Sequence, residues 1–334
     1  MLITASVYSQ TGGNNTYEFL NLPISARITA LGGNNISTKD NDLNLALINP
    51  ALLTDTMNNN IALNYTGYFS DIKYGYVTYA KKIKPKQTLA IGVQYLDYGK
   101  FTNADEYGNI NGTFGANDMS FNISYARPVY DSNLTIGTTL KTIYSNLNNY
   151  TSLGSAIDIG GVYVFPKRGF SVAALVKNAG TQLKSYTPGN HEKLPFDMQL
   201  GCSKKLQHAP IRFSIVYQSI EKWNLINADS IAQAIQSSKF KSFGDELMRH
   251  LVAGTELNIS KSIFIRVGYN YQHRQELKIA AHRGMTGFSF GFGLRIYKFH
   301  ISYGRAVYSL AGASNNFSLV FDLNSFYQKK QANQ

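Results

Sequence analysis

Charged residues are scarce in this chain of 334 residues. They make up 16% of the sequence, against about 25% in ordinary soluble domains. Long apolar runs are missing as well: no window approaches the roughly 20 consecutive apolar residues of a membrane-spanning helix, which excludes crossing by helices. The single cysteine, Cys202, excludes an internal disulfide and leaves the cellular compartment undetermined.

Aromatic residues are abundant, with 23 Tyr and 19 Phe against one Trp, while the mean hydropathy is only −0.20. This composition is typical of a barrel with a polar interior.

The net charge of +12 raises nucleic acid as a partner. Many basic residues fall in short turns rather than in one patch, so we predict no nucleic-acid binding. If these turns form a ring at the rim of a barrel, their basic side chains would contact anionic lipid headgroups or simply lie in solvent. The turn residues concerned are Lys81, Lys82, Lys84, Lys86, Lys167, Arg168, Lys204, Lys205, Lys261 and Lys298.

Large apolar residues alternate with small ones from Asn60 onward, and this period of two predicts β-strands. In one stretch the larger set is expected to face lipid: Phe288, Phe290, Phe292, Phe299 and Ile301. The pattern predicts about fourteen strands, at 60–69, 72–81, 88–97, 118–127, 133–145, 152–165, 169–178, 194–204, 210–220, 250–259, 262–272, 285–296, 298–307 and 315–324.

The residues on the opposite face of the strands distinguish a membrane barrel from a soluble sandwich. It carries Gly, Ser, Ala and Asn with isolated charges, which suits a crowded barrel interior. Every second connection between the predicted strands is short, as at one end of an outer-membrane barrel. The connections between these include the long loops 98–117, 179–193, 221–249 and 273–284. We therefore predict an all-β fold, a transmembrane antiparallel β-barrel in the bacterial outer membrane. A soluble two-layer β protein is the alternative fold.

Four segments are expected along the chain: a signal-peptide remnant at 1–9, an N-terminal plug at 10–58, the barrel at 59–326 and a polar tail at 327–334. The N-terminus is expected in the periplasm or the lumen. Within the plug, a short helix around 42–48 would end ahead of Pro50.

Two long loops carry features of a surface that meets partners. Spacing in 227–250 predicts two short helices, one with Ile231, Ala234 and Ile235, the other with Phe243, Leu247 and Met248. Aromatic residues in these loops either fold into the mouth or face a partner. The candidates are Tyr98, Phe101, Tyr107, Phe114, Trp223 and Phe243.

No pattern in the sequence indicates catalysis or a cofactor. The six histidines lack metal-ligand spacing. Gly291-Phe292-Gly293 lies inside a predicted strand without a following helix, so it is a poor dinucleotide motif. We expect no enzyme activity, no cofactor and no metal.

The stretches "FLNLPISARITALGG" and "NLALINPALL" resemble the N-terminus of the PorV/PorQ family of Bacteroidetes outer-membrane proteins, PorQ-like members in particular. Ala26, Arg27, Gly32, Gly33, Asn49 and Pro50 match the family motif, which is structural. The resemblance implies a non-enzymatic scaffold of the type IX secretion system. Its partners would be PorU-type and PorZ-type surface proteins that process cargo and anchor it to lipopolysaccharide.

The alternative function is a FadL-like transporter of hydrophobic small molecules, because the family is distantly related to fatty-acid transporters. Transport would need an apolar path or a lateral opening at a glycine-kinked strand. Gly160–Gly161 and the glycines 287, 291 and 293 are the candidates. A lumen filled by residues 16–58 would argue against it.

Overall fold

Fourteen antiparallel strands form one closed sheet in the computed structural model, which describes residues 15–68, 71–130, 133–223, 225, 239–277, 285–309 and 312–326. Each strand pairs with its neighbours in sequence, and β1 closes the barrel on β14, with Tyr65 opposite Phe317. The strands are β1 (Asn60–Gly67), β2 (Lys73–Lys84), β3 (Gln87–Ala104), β4 (Ile110–Tyr130), β5 (Leu134–Leu147), β6 (Tyr150–Phe165), β7 (Phe170–Lys184), β8 (Asp197–Lys205), β9 (Ile211–Tyr217), β10 (Leu251–Asn258), β11 (Ile263–Asn270), β12 (Phe288–Ile296), β13 (Phe299–Ser309) and β14 (Gly312–Asp322).

The predicted fold class is confirmed, and the two-layer alternative is wrong because all strands belong to one closed barrel. The large and small residues that alternate in the sequence form the outer and inner surfaces of the barrel. On β4, Phe121 and Ile123 are 49% and 51% exposed, whereas Ser120 is fully buried. The five residues that we expected to face lipid, on β12 and β13, lie on the outer face with exposures between 37% and 49%.

The connections sort by side. At one end, which we call the short-turn end, they comprise 85–86, 131–133, 166–169, 206–210, 259–262 and 297–298. The opposite long-loop end holds 185–196, 218–250 and 271–287, together with four tighter connections.

The predicted loop at 98–117 is wrong, because β3 and β4 extend into it and leave only residues 105–109 between them. Apolar alternation fades there, but the hairpin is held by other means. The rings of Phe101 and Phe114 stack at 5.3 Å between centroids. At the tip, the Asp105 carboxylate accepts hydrogen bonds from the backbone N–H groups of Tyr107 and Asn109 at 3.0 and 2.8 Å.

In the described part of the chain, four α-helices accompany the barrel: α1 (Ala26–Ala30), α2 (Leu43–Ala46), α3 (Lys239–Arg249) and α4 (Tyr271–Leu277). Helix α3 matches the second helix predicted in 227–250, whereas Ile231, Ala234 and Ile235 lie outside the described residues. Helix α4 was not predicted, since the expected strand 262–272 stops at Asn270. None of the described helices has the length and apolar character that a membrane crossing requires.

Residues 15–58 fold inside the barrel, and we call this segment the plug. Its apolar side chains supply about half of the buried core among the described residues; Ile28, Leu43 and Leu52 are fully buried. The first described residues lie at the long-loop end, where the Thr16 N–H donates to the Lys193 carbonyl at 2.9 Å. The expected signal remnant at 1–9 and the tail at 327–334 lie outside the described residues.

Candidate functional site

The plug has its own local order. Ser25 and Asp42 cap α1 and α2, with side-chain oxygens that accept from the Ile28 N–H at 3.4 Å and the Asn44 N–H at 3.0 Å. Asn49 caps the 3₁₀ turn Pro50–Leu52 and also donates to the Ile36 carbonyl at 2.8 Å. These bonds satisfy backbone groups that the lumen hides from water.

Inward-facing glycines of the barrel provide the surface on which the plug rests. A β-carbon on Gly291 would come within 2.7 Å of the Ala30 Cβ, which is closer than side chains tolerate. Four residues of the N-terminal motif also pack directly against a barrel glycine that has no room for a side chain. The pairs are Ala26 with Gly304, Gly32 with Gly268, Asn49 with Gly160 and Pro50 with Gly137. Gly160 and Gly291 are therefore packing positions under the plug, not the lateral opening that we considered.

A buried charge network ties the plug to the wall near the short-turn end. The Arg27 guanidinium is 4% exposed and contacts the carboxylates of Asp40 at 2.7 Å, Asp42 at 3.1 Å and Glu256 at 2.9 Å. Glu256 also binds Arg266 at 2.7 Å and Arg212 at 3.0 Å. Three cations face three anions, so the network is balanced.

Asp40 shows the electrostatic effect of that network. Burial alone would raise the pKa of its carboxyl, but the Arg27 and Arg212 guanidinium groups hold the pKa well below its usual range. Arg212 contacts Asp40 at 2.9 Å. The carboxylate consequently stays charged under all ordinary conditions.

A cavity of about 400 Å³ lies above the plug, toward the long-loop end. Plug, strands and α4 all contribute to its wall. The lining residues are Glu18, Asn21, Leu22, Pro23, Gly33, Asn34, Ile48, Lys177, Asp197, Gln199, Gln218, Ser219, Asn270, Gln272 and His273. Amide side chains dominate this lining, so the cavity is suited to a ligand with hydrogen-bonding groups.

The amides are joined in a chain that crosses the plug, which we call the amide chain. Asn34 donates from Nδ2 to Gln199 Oε1 at 3.0 Å and to Gln218 Oε1 at 3.3 Å. On one side Gln199 donates to Asp197. On the other side Gln218 donates to Gln272 at 3.1 Å, and Gln272 to Glu276 at 2.9 Å. The plug is thus attached to the wall here by neutral groups.

A smaller cavity of about 20 Å³ lies against the same wall and has a more apolar lining. Leu22, Ile48 and Lys177 border both cavities. Leu20, Ile24 and Leu47 of the plug and Tyr76 of β2 line the smaller one. Gln94, Asn122, Thr139 and Lys141 complete its lining, so apolar and polar groups both border the smaller cavity.

Lys177 faces the lumen by the regular alternation of β7, and a bulge turns Asn178 inward as well. Lys177 and Asn178 together oppose Asp158 of β6, and Asn178 has a left-handed backbone with φ of 56°. The Asn178 N–H donates to Asp158 Oδ1 at 2.7 Å. Pairing with β8 ends here as well, at Lys177 opposite Asp197.

The candidate partner-facing residues are dispersed over the long-loop end. Tyr98 points inward, and its hydroxyl donates to Asp118 at 2.7 Å, while Tyr107 at the hairpin tip is 82% exposed. Trp223 and Phe243 are 49% and 61% exposed, with ring centroids 5.3 Å apart. These residues do not converge on the cavity.

Sequence reasoning missed the residues that line the cavity. One signal was present: Lys177 is the only charged residue in "FSVAALVKNAG", which is otherwise apolar or small. The amides carried no signal, since Asn and Gln are common in the polar loops and on the inner faces of barrels.

Comparison with solved structures finds similar folds. The crystal structure of the Pseudomonas putida toluene transporter TodX has a TM-score of 0.54 at 11% identity, covering 90% of this chain and 96% of that chain. A deltaS2 mutant of TodX, a monoaromatic hydrocarbon channel, gives a TM-score of 0.52 at 11% identity, covering 90% of this chain and 98% of that chain. A Pseudomonas aeruginosa FadL homologue gives 0.51 at 11% identity, covering 90% and 98%.

No protein-family model matches the chain, and no curated protein matches it. At such low identity the likeness concerns the fold alone, which is that of FadL-type outer-membrane barrels. Since the barrel strands run only from Asn60 to Asp322, a match over 90% of the chain includes part of the plug. The resemblance to PorV/PorQ proteins stays a prediction.

Proposed function

We propose that this chain is a non-enzymatic outer-membrane barrel that admits small apolar molecules through its lumen. The observation that carries the proposal is the pair of cavities, in which a chamber near the long-loop end adjoins one lined by plug leucines. The similar folds of a toluene transporter and a FadL homologue support apolar molecules as the substrate class.

The outer surface supports a place in the outer membrane. Large apolar side chains such as Phe121, Ile215, Phe292 and Phe317 stay between 48% and 52% exposed on its strands, as lipid-facing residues do. Outer-membrane barrels have short periplasmic turns, so the short-turn end would face the periplasm and the cavity the cell exterior.

Transport through this barrel requires movement of the plug, because the described plug residues occupy the lumen. The amide chain and the small cavity lie on the entry side, whereas the charge network closes the exit side. We infer that the segment between them, residues 28–38, which carries Asn34, shifts while Arg27, Asp40 and Asp42 stay bound.

A disulfide that locks the plug would test this function. Ser37 Oγ of the plug lies 2.6 Å from Ser203 Oγ of β8, so cysteines at both positions would place their sulfurs within bonding reach. The test protein is Ser37→Cys with Ser203→Cys and Cys202→Ser. Cells producing it should take up radiolabelled toluene when reduced and lose most uptake when oxidised, with the Cys202→Ser protein as control. Equal uptake in both states, or none above cells lacking the protein, would refute transport.

A second candidate is a surface scaffold of the type IX secretion system, bound to PorU-type or PorZ-type proteins and to lipopolysaccharide. The exposed pair Trp223 and Phe243 at the long-loop end favours it, because aromatic side chains are enriched in interfaces. Replacing both by Ser should abolish recovery of a surface protein on pull-down from native membranes, whereas Lys222→Ser should not. Wild-type protein that purifies alone would refute the scaffold.

A further inference from the structure

Lys177 is a buried cation with too few partners. Its side chain is 9% exposed, and its Nζ donates to Asn21 Oδ1 at 3.2 Å. Among the described residues no carboxylate oxygen lies within 4.0 Å of that Nζ, although nine such ion pairs occur elsewhere in them. An ammonium carries three donors, and burying one without a counter-ion is costly.

The neighbouring carboxylates form no direct ion pair with the Lys177 ammonium, because other groups hold them. Asp158 is already paired with Lys141 at 2.6 Å. Asp197 accepts from the Ser219 N–H at 2.7 Å through one oxygen and from Gln199 through the other. The Glu18 carboxylate is bonded by the amides of Asn15 and Asn21 at 2.8 and 3.3 Å. The wall of the cavity therefore presents a cation whose nearby anions are engaged.

An acceptor without a donor lines the same cavity. Asn34 uses its Nδ2 for Gln199 and Gln218, while its Oδ1 is buried and accepts no hydrogen bond from the described residues. A buried acceptor left in this state is unfavourable, because it has lost its hydrogen bonds to water without replacement. A ligand that donates to Asn34 and carries a negative charge for Lys177 would satisfy both groups.

We propose that the large cavity binds a small organic monocarboxylate that also bears a hydroxyl or amino group. The carboxylate pairs with the Lys177 ammonium, and the second group donates to Asn34 Oδ1. Glu18 and Asp197, which border the cavity, repel a second negative charge and so exclude dicarboxylates. A volume of about 400 Å³ is within the range of small-molecule sites. This inference concerns binding, and it holds whether or not the ligand is then transported.

The test uses the full chain in detergent micelles and 4-hydroxybenzoate as the probe, titrated by calorimetry. Methyl 4-hydroxybenzoate keeps the shape without the charge, and benzoate keeps the charge without the hydroxyl. We expect 4-hydroxybenzoate to bind at least tenfold more tightly than its methyl ester and several-fold more tightly than benzoate. No saturable binding of the probe, or equal affinity for the ester, would overturn the proposal.

Lys177→Gln keeps a polar side chain only one atom shorter and removes the charge, and it should weaken binding of the probe at least tenfold. Lys184→Gln is the matched control on the same strand, because that ammonium donates to Thr151 outside the cavity; it should bind as the wild type does. If Lys177→Gln does not fold, Asn34→Ala should lower the preference for 4-hydroxybenzoate over benzoate. Unchanged binding in the folded variant, or equally effective competition by inorganic phosphate, would overturn the assignment.

Discussion

The two ends of the lumen hold the plug by different physical means. Toward the short-turn end, three guanidinium groups and three carboxylates form a balanced network, most of it buried. Toward the long-loop end, the plug is held by neutral amides, and a cation is left without a counter-ion. The charged end is costly to open, because opening it leaves buried charges unpaired. The amide end is the one at which a ligand can enter.

Removing the central cation of the network is the strongest test of this difference. Arg27→Met leaves Asp40, Asp42 and Glu256 with fewer counter-charges, and we expect it to lower the free energy of unfolding by about 3–5 kcal/mol. Unfolding in detergent, followed by heat-dependent gel mobility, measures the change. Lys82→Met is the control, since Lys82 and Asp55 are 39% and 37% exposed and such pairs contribute about 1 kcal/mol or less. Similar losses in both variants would contradict the assigned role of the network.

A pair of adjacent glycines on β6 tests whether the wall is shaped for the plug. Gly160 faces the plug at Asn49, whereas a β-carbon on Gly161 would meet nothing within 4 Å. Gly160→Leu should cost about 1–3 kcal/mol by overpacking and should expose the plug to protease. Gly161→Leu, on the outer face, should leave protease cleavage of the plug unchanged. If the plug is equally resistant to protease in both variants, then it does not pack against Gly160.

Cutting the amide chain should have a smaller and more local effect. Gln218→Leu removes the acceptor of one Asn34 bond and the donor to Gln272, which should cost about 1–3 kcal/mol. Hydrogen exchange should speed up in residues 15–34 and stay unchanged around Asp40. Equal acceleration at both places would mean that the two ends open together.

The charged end should also be insensitive to mild acid. Because the folded pKa of Asp40 is held below its usual value, its stabilising effect is complete above an unfolded pKa of about 3.9. That effect is lost only as the pH falls from about 4 toward the folded pKa. Protease resistance of the plug should thus be constant from about pH 8 to 5, and Asp40→Asn should flatten the loss below pH 4. A wild-type loss near pH 6 would contradict this.

The strands were predictable and the cavity was not, for physical reasons. Alternation such as Met119, Phe121 and Ile123 against small residues is a local consequence of having lipid on one side and a plug on the other. Alternation places Lys177 on the inner face, but the cavity beside it depends on the plug, which brings Asn21 to its ammonium from 156 residues earlier in the chain. The hairpin beyond 98 escaped prediction because a ring stack and a turn hold it, not burial.

The hairpin of β3 and β4 makes the barrel wall much taller on one side than on the other. Strand β4 has 21 residues and β9 has seven, which at about 3.4 Å per residue are roughly 70 Å and 24 Å of strand. The apolar band of such barrels is only about 25 Å tall, so the tip at Tyr107 is held well clear of any bilayer. Antibody would bind an epitope inserted there on intact cells only if the long-loop end faces the cell exterior, so the epitope would report which way the barrel faces without disturbing the lumen.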